Sequence, residues 1–415
     1  MVASTSKIEP DNDYLIRFLS DWSYRAEAFR ITDKTVDESI TDPEAILELA
    51  HGDGIFAELV AYLAASKRAV RNIVKPLSLG IVFAVWKEAR RLQPRTDLNP
   101  AGEDALRAKV AELNWLFQGS PVSWTLYVVD DECPEGSLEV ARAIIEEEGF
   151  GSIELLRLRD ALPSPSIPLK NLKSAELSVK GGAVILGLER AAADNHDYAM
   201  FTDCDNSNNL GQIGLLLQPL LAGDVRVSIG DRRSTRVSHW QESRESESTA
   251  NNTLKRVRQL LEFDLILRDV TCPFKMFERE YLIDMLKGLD VFDFCIDYDM
   301  LGYVESKSSG LAIVPIVSLD SEPETTWIAL SNANVWWQKL KGVVHIVEKY
   351  GLPHNPKAAD LVRKHLGSLD NVKAVLQAGE RGVVFDGRQL SPAEQLKMNV
   401  DELDEWLQSI LAGAS

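Results

Sequence analysis

Cysteine is scarce: four residues in 415, Cys133, Cys204, Cys272 and Cys295, with no C-x-x-C pair. That excludes a disulfide framework and a zinc knuckle, and it fits a reducing compartment. Positive charge is not in excess either. Lysine and arginine number 45 against 63 aspartates and glutamates, a formal net charge of −18. Wrapping a nucleic-acid backbone is therefore excluded as the main task, and no nucleic-acid partner is expected. No apolar run approaches the roughly 20 residues that a membrane-spanning helix needs. The most apolar stretches, 79–86 and 213–221, are short, and the second contains Gln218 and Pro219. Met1 to Asn12 is polar and acidic with no apolar segment, so a signal peptide is not expected and a cytoplasmic location is. Internal repeats and low-complexity tracts are absent from the sequence as well.

What is present is an ordinary globular composition, 45% hydrophobic and 26% charged, in a chain longer than one typical domain. Helical spacing marks 14–30 and 43–71, and Thr41-Asp42-Pro43-Glu44 has the form of a capping box with proline just inside the helix start. From Pro76 the texture changes. Short runs rich in Val, Ile, Leu, Phe and Tyr at 79–85, 124–129, 153–158, 198–202 and 225–229 are mostly separated by helical patterns. That alternation predicts an α/β fold with a mixed, mostly parallel sheet, helices on both faces, and chemistry at the carboxyl ends of the strands. After about Pro323 the pattern is helical again, with Ser391-Pro392-Ala393-Glu394 as a second capping signal. The expected organisation is a helical extension over 1–75, the α/β domain over 76–325 and a helical region over 326–415.

Three strand-end motifs carry candidate chemistry. The run Tyr198 to Thr202 leads into Asp203-Cys204-Asp205-Asn206-Ser207. In an extended segment residues i and i+2 face the same way, so Asp203 and Asp205 would present two hard carboxylate ligands to one Mg2+ or Mn2+; a polar turn is the plainer reading of an isolated Asp-x-Asp. Val128-Val129-Asp130-Asp131 ends a second strand, where an acid accepts hydrogen bonds from a base or ribose or simply faces water at a helix start. Lys180-Gly181-Gly182 opens an apolar helix, where a lysine meets phosphate or the glycines merely make a turn.

In order along the chain, these blocks resemble the segments of family 2 glycosyltransferases of the GT-A fold, with the closest likeness to the dolichyl-phosphate glucose and mannose synthase branch. Val82 to Glu88 looks like the opening strand, Val128 to Asp131 like "VVDD" and Phe201 to Ser207 like "FTDADLS". Ile229 to Arg233 is similar to "IGSR", Asp269 to Phe277 to "DTQCGFKLF", and Phe294 to Asp299 to "FDVE". The resemblance spans about 76–322. It implies a nucleotide-sugar donor, with UDP favoured, in a nucleoside pocket lined by Ala84, Trp86, Glu88 and Asp130. It also implies a cation on Asp203 and Asp205 with Ser207, Lys180 near the diphosphate or sugar, and phosphate contacts from Arg232 or Arg233. The sequence departs from the family at Trp86-Lys87, in place of Tyr-Asn, and at Pro273, in place of a glycine.

The expected function is hexosyl transfer to a soluble hydroxyl or phosphate acceptor by an inverting single displacement. A hydroxyl acceptor needs a base, for which Asp297 and Asp299 are candidates; a phosphate acceptor needs arginines such as Arg232, Arg233 or Arg244. His239 and the polar run 242–248 are minor candidates for a closing loop and acceptor contacts. The apolar faces of the terminal helices fit an acceptor pocket or a homodimer contact alike. Two rival readings are a non-catalytic scaffold and a sugar-phosphate nucleotidyltransferase. The second lacks the glycine-rich loop it would need after the first strand, since no glycine occurs in 84–91.

Overall fold

The structure, a computed structural model, describes residues 12–223, 225–233, 252–261, 269–307, 310–319 and 333–412. They fall into two compact units, one within 1–240, 269–292 and 309–322, the other within 241–268, 293–308 and 323–415.

In the first unit, seven strands among the described residues form one sheet in the order β3-β2-β1-β4-β6-β5-β7. They are β1 Leu77–Val85, β2 Val122–Asp130, β3 Ile153–Arg157, β4 Tyr198–Thr202, β5 Val227–Asp231, β6 Lys275–Glu278 and β7 Leu311–Pro315. Every pairing is parallel except the two made by β6. The mixed, mostly parallel sheet expected from the sequence is therefore present, and β6 and β7 are strands beyond the five that apolar runs marked.

Its helices are α1 Asn12–Ser20, α2 Trp22–Asp37, α3 Pro43–Leu49, α4 Gly54–Arg71, α5 Ala105–Phe117, α6 Ser137–Glu148, α7 Gly181–Ala193 and α8 Ile213–Ala222. Asp42 is the cap of α3, accepting the N–H of Glu44 at 3.2 Å, so the helix is opened by the aspartate rather than by Thr41. The helical stretch 43–71 breaks after α3, where His51 and Gly52 both have positive φ.

The strands are covered on both faces, which is why β1 reads as an almost continuous apolar run. Leu79, Ile81, Phe83 and Val85 point into a hydrophobic cluster shared with Phe18, Ile31, Leu59 and Leu63 of the N-terminal helices and with Leu113 and Leu216. The helices of 12–71 thus complete the core on that face of the sheet. On the other face α7 lies close enough to require glycine. A Cβ on Gly187 would stand 2.3 Å from Val82 Cγ1, and one on Gly80 2.4 Å from Ala191 Cβ.

The second unit is mainly helical, with Asn252–Leu261, Ile296–Ser306, Ala333–Lys349, Pro356–His365, Leu369–Glu380 and Val400–Ala412 as its longer elements. The expected capping box at Ser391 and Glu394 is present and opens a single helical turn, Pro392–Gln395. Among the described residues no helix is long and apolar enough to cross a membrane.

Candidate active site

Strand β1 has β2 on one side and β4 on the other, so the strand order reverses beside it, and in open α/β sheets ligands bind at the carboxyl ends of the strands at such a switch point. Val85 lies opposite Asp130 in the β1–β2 register, and Phe83 opposite Thr202 in the β1–β4 register. Trp86 and Glu88 follow β1, Asp130 ends β2, and Asp203, Asp205 and Ser207 follow β4. Helix α7 begins at the same edge: Lys180 Nζ is 2.7 Å from Asp203 Oδ1. The backbone N–H of Lys180, whose φ is 72°, donates to Asp131 Oδ2. Asp131, the second acid of the Val-Val-Asp-Asp run, thus holds Lys180 in place, a part that the sequence did not suggest for it.

The Asp203 to Ser207 segment is not extended. Strand β4 stops at Thr202, and the acids sit on a turn in which Asp205 Oδ1 accepts the N–H of Ser207 at 3.1 Å. The alternation of an extended strand is therefore not what places the two carboxylates; turn geometry is. Asp203 remains 34% exposed in its side chain. Burial alone would raise its pKa, but the Lys180 ammonium, with Arg232 and Lys109 farther off, holds it below the ordinary carboxylate range.

Glu88 behaves in the opposite way. Burial, with the Asp205 and Glu103 carboxylates nearby, pushes it up to about 7 against the pull of its ion-pair partner Arg91. Asp130 is also raised by burial; its Oδ1 accepts the N–H of Cys133 at 3.1 Å, and Arg157 Nε is 3.9 Å from its Oδ2. Trp86, just after β1, is 42% exposed, with Lys87 Nζ 4.7 Å from the ring centroid, and Ala84 is partly exposed near the carboxyl end of β1.

The donor set at the acidic turn is two carboxylates and the Ser207 hydroxyl, hard oxygens of the kind Mg2+ and Mn2+ take. Among the described residues no group of three or more His, Cys, Asp and Glu side chains is placed to hold a metal. A cation held by Asp203, Asp205 and Ser207 would take its remaining ligands from outside the protein, as from a substrate.

Arg232 is placed differently from the expectation of a phosphate ligand. Its Nε and Nη2 each donate to Asp269 at 2.7 Å, and both side chains are buried. The guanidinium fork is engaged by a carboxylate of the protein and fastens the end of β5. Arg233 is exposed, and its N–H donates to Asp231 Oδ1 at 2.9 Å. Asp297 and Asp299 lie in the second unit, in the first turn of Ile296–Ser306. Asp299 is fully buried there, its Oδ1 accepting from Lys349 Nζ and from the Tyr350 hydroxyl, both at 2.8 Å. Arg244, His239 and the run 242–248 lie outside the described residues.

No protein-family model matches the chain. No curated protein matches it either. Among solved structures, the chain is similar to glucosyl-3-phosphoglycerate synthase from Mycobacterium tuberculosis in complex with Mn2+, UDP-glucose and phosphoglyceric acid, at 16% identity over 70% of this chain and 84% of that one, with a TM-score of 0.44. It is similar to mannosyl-3-phosphoglycerate synthase from Rubrobacter xylanophilus at 14% identity over 70% and 78%, with a TM-score of 0.42. A mannosyltransferase from Pyrobaculum calidifontis in complex with GDP-Man and Mn2+ matches at 14% identity over 89% and 98%, with a TM-score of 0.39.

Proposed function

We propose that the chain is a metal-dependent glycosyltransferase that moves a hexose from a nucleotide-diphosphate sugar, a UDP-sugar by preference, to a soluble hydroxyl or phosphate acceptor. The observation that carries this reading is the acidic turn Asp203 to Ser207 at the carboxyl edge of β4, with Lys180 of the α7 start in contact with it. One position there brings carboxylates for a divalent cation together with a protein cation for phosphate.

In this reading Asp203, Asp205 and Ser207 hold Mg2+ or Mn2+, whose charge when bound offsets that of the departing diphosphate. Lys180 adds a second positive charge at the same point, and the start of α7 directs its dipole toward the diphosphate. Trp86, Ala84 and Asp130 form the nucleoside side: an exposed indole offers a stacking face and a buried carboxylate accepts from a base N–H. Arg233, exposed at the end of β5, is the arginine this reading assigns to an acceptor phosphate. Arg232 holds that strand end through Asp269 and acts at one remove.

The test is a thermal-shift screen of UDP, GDP and dTDP and their hexose conjugates, with and without Mn2+, since a bound ligand raises apparent stability by mass action. A metal-dependent response to uridine nucleotides is expected. A response to none of them, or one that ignores the metal, contradicts the proposal.

A further inference from the structure

Helix α5 carries Lys109 and Glu112 one turn apart on a face that is buried, and Lys109 has no exposed surface at all. A wholly buried ammonium is costly unless its hydrogens are bonded. Lys109 Nζ donates to the carbonyl oxygen of Asp205 at 2.7 Å. Just before the helix, buried Glu103 accepts the N–H of Asn206 on Oε2 at 2.8 Å, and its Oε1 accepts from Arg91 Nε at 3.2 Å. The Asp205 carbonyl and the Asn206 N–H belong to the same peptide group. That group is therefore gripped at both ends, a cation on its oxygen and an anion on its hydrogen, each aligned with the peptide dipole. The Asn206 side chain tightens the hold, its Nδ2 donating to the Glu103 carbonyl at 2.9 Å and to the Leu19 carbonyl at 2.8 Å. Farther along, Glu112 Oε2 accepts the N–H of Leu210 at 2.9 Å.

The buried charges thus act on the backbone of the acidic turn rather than on its carboxylates. We propose that Lys109, with Glu103 and Asn206, is a positioning residue for the acidic turn: it fixes the Asp205–Asn206 peptide plane, and so aims the Asp203 and Asp205 carboxylates at the divalent cation. The inference rests on the cation reading proposed above. It has a sign that separates it from plain electrostatics. A lysine acting only as a nearby positive charge repels a cation, so its removal would tighten binding; a lysine that holds the ligand turn in place weakens binding when it is lost.

The experiment is a titration of the full chain with Mn2+ alone, followed by electron paramagnetic resonance, for wild type and Lys109→Met at a temperature where circular dichroism shows both folded. The dissociation constant is expected to rise by about 10- to 100-fold in the variant, the range typical of groups that orient metal ligands. An unchanged or lower constant overturns the positioning role while leaving the cation site standing. A wild-type chain that does not bind Mn2+ overturns the cation reading and this role with it. If Lys109→Met does not fold, Asn206→Ala, which removes two bonds of the same brace, decides in its place: weaker Mn2+ binding supports the role, and unaltered binding overturns it.

Discussion

Lys180 Nζ and Asp203 Oδ1 stand 2.7 Å apart, a contact that ties the start of α7 to the end of β4 and gives the lysine the carboxylate that the proposed cation would use. Both side chains keep access to water, at 21% and 34% exposure. Lysine and cation therefore compete for one group. Lys180→Met is expected to bind Mn2+ alone about 1.4- to fivefold more tightly, the equivalent of a partly exposed ion pair worth about 0.2–1 kcal/mol. The same variant should bind UDP in the presence of Mn2+ less tightly, having lost a phosphate contact. Calorimetric titrations measure both, and a variant that weakens or spares both equally removes the competition.

The Arg232 and Asp269 pair predicts a stability effect rather than a substrate effect. Both groups are buried and bonded bidentately. Asp269→Asn leaves a buried guanidinium without its counter-charge, a loss of about 3–5 kcal/mol. Arg232→Met with Asp269→Leu should recover much of it, because the pair also carries a desolvation cost. Urea denaturation of the single and double variants checks this; additive losses in the double variant would contradict it.

Glu88 predicts a pH dependence with a definite sign. Its pKa is raised from 4.5 to about 7 in the folded chain, chiefly by burial. The folded state thus holds the proton more tightly than the unfolded state. The associated stability is complete below about pH 4.5 and is lost as pH rises through 7, a change on the order of 2–3 kcal/mol. Glu88→Gln should lack that decline. Denaturant midpoints of both chains at pH 5 and pH 7.5 measure the difference, and parallel profiles would show that Glu88 is ionised throughout.

Much of the sheet was legible because strands buried on both faces leave nearly continuous apolar runs, as in Leu77–Val85, whereas Lys275–Glu278 left none. That strand is four residues long with a charge at each end, and its Lys275 is buried, donating to the carbonyls of Val270 and Cys272. The acidic pair was visible as a motif, but its geometry was not: Asx-turn bonding around Asp205 replaces the extended alternation the spacing suggested. The brace behind it was invisible for a plainer reason. Lys109 and Glu112 lie in a helix of ordinary amphipathic composition, and nothing in a single sequence tells a charged face turned to water from one turned to a neighbouring backbone. Likewise, the N-terminal helices read as an extension because the core they share with Ile81 and Phe83 is formed by tertiary packing.

The central claim is that Asp203 and Asp205 hold a divalent cation together with a nucleotide diphosphate. Its most direct test is isothermal titration of UDP into wild type and Asp205→Ala, with and without Mn2+. Wild type should bind UDP more tightly with the metal. The variant should lose that enhancement by more than the roughly 10- to 100-fold that loss of an outer-sphere partner brings. Equal metal-dependent affinity in the two chains would contradict the account.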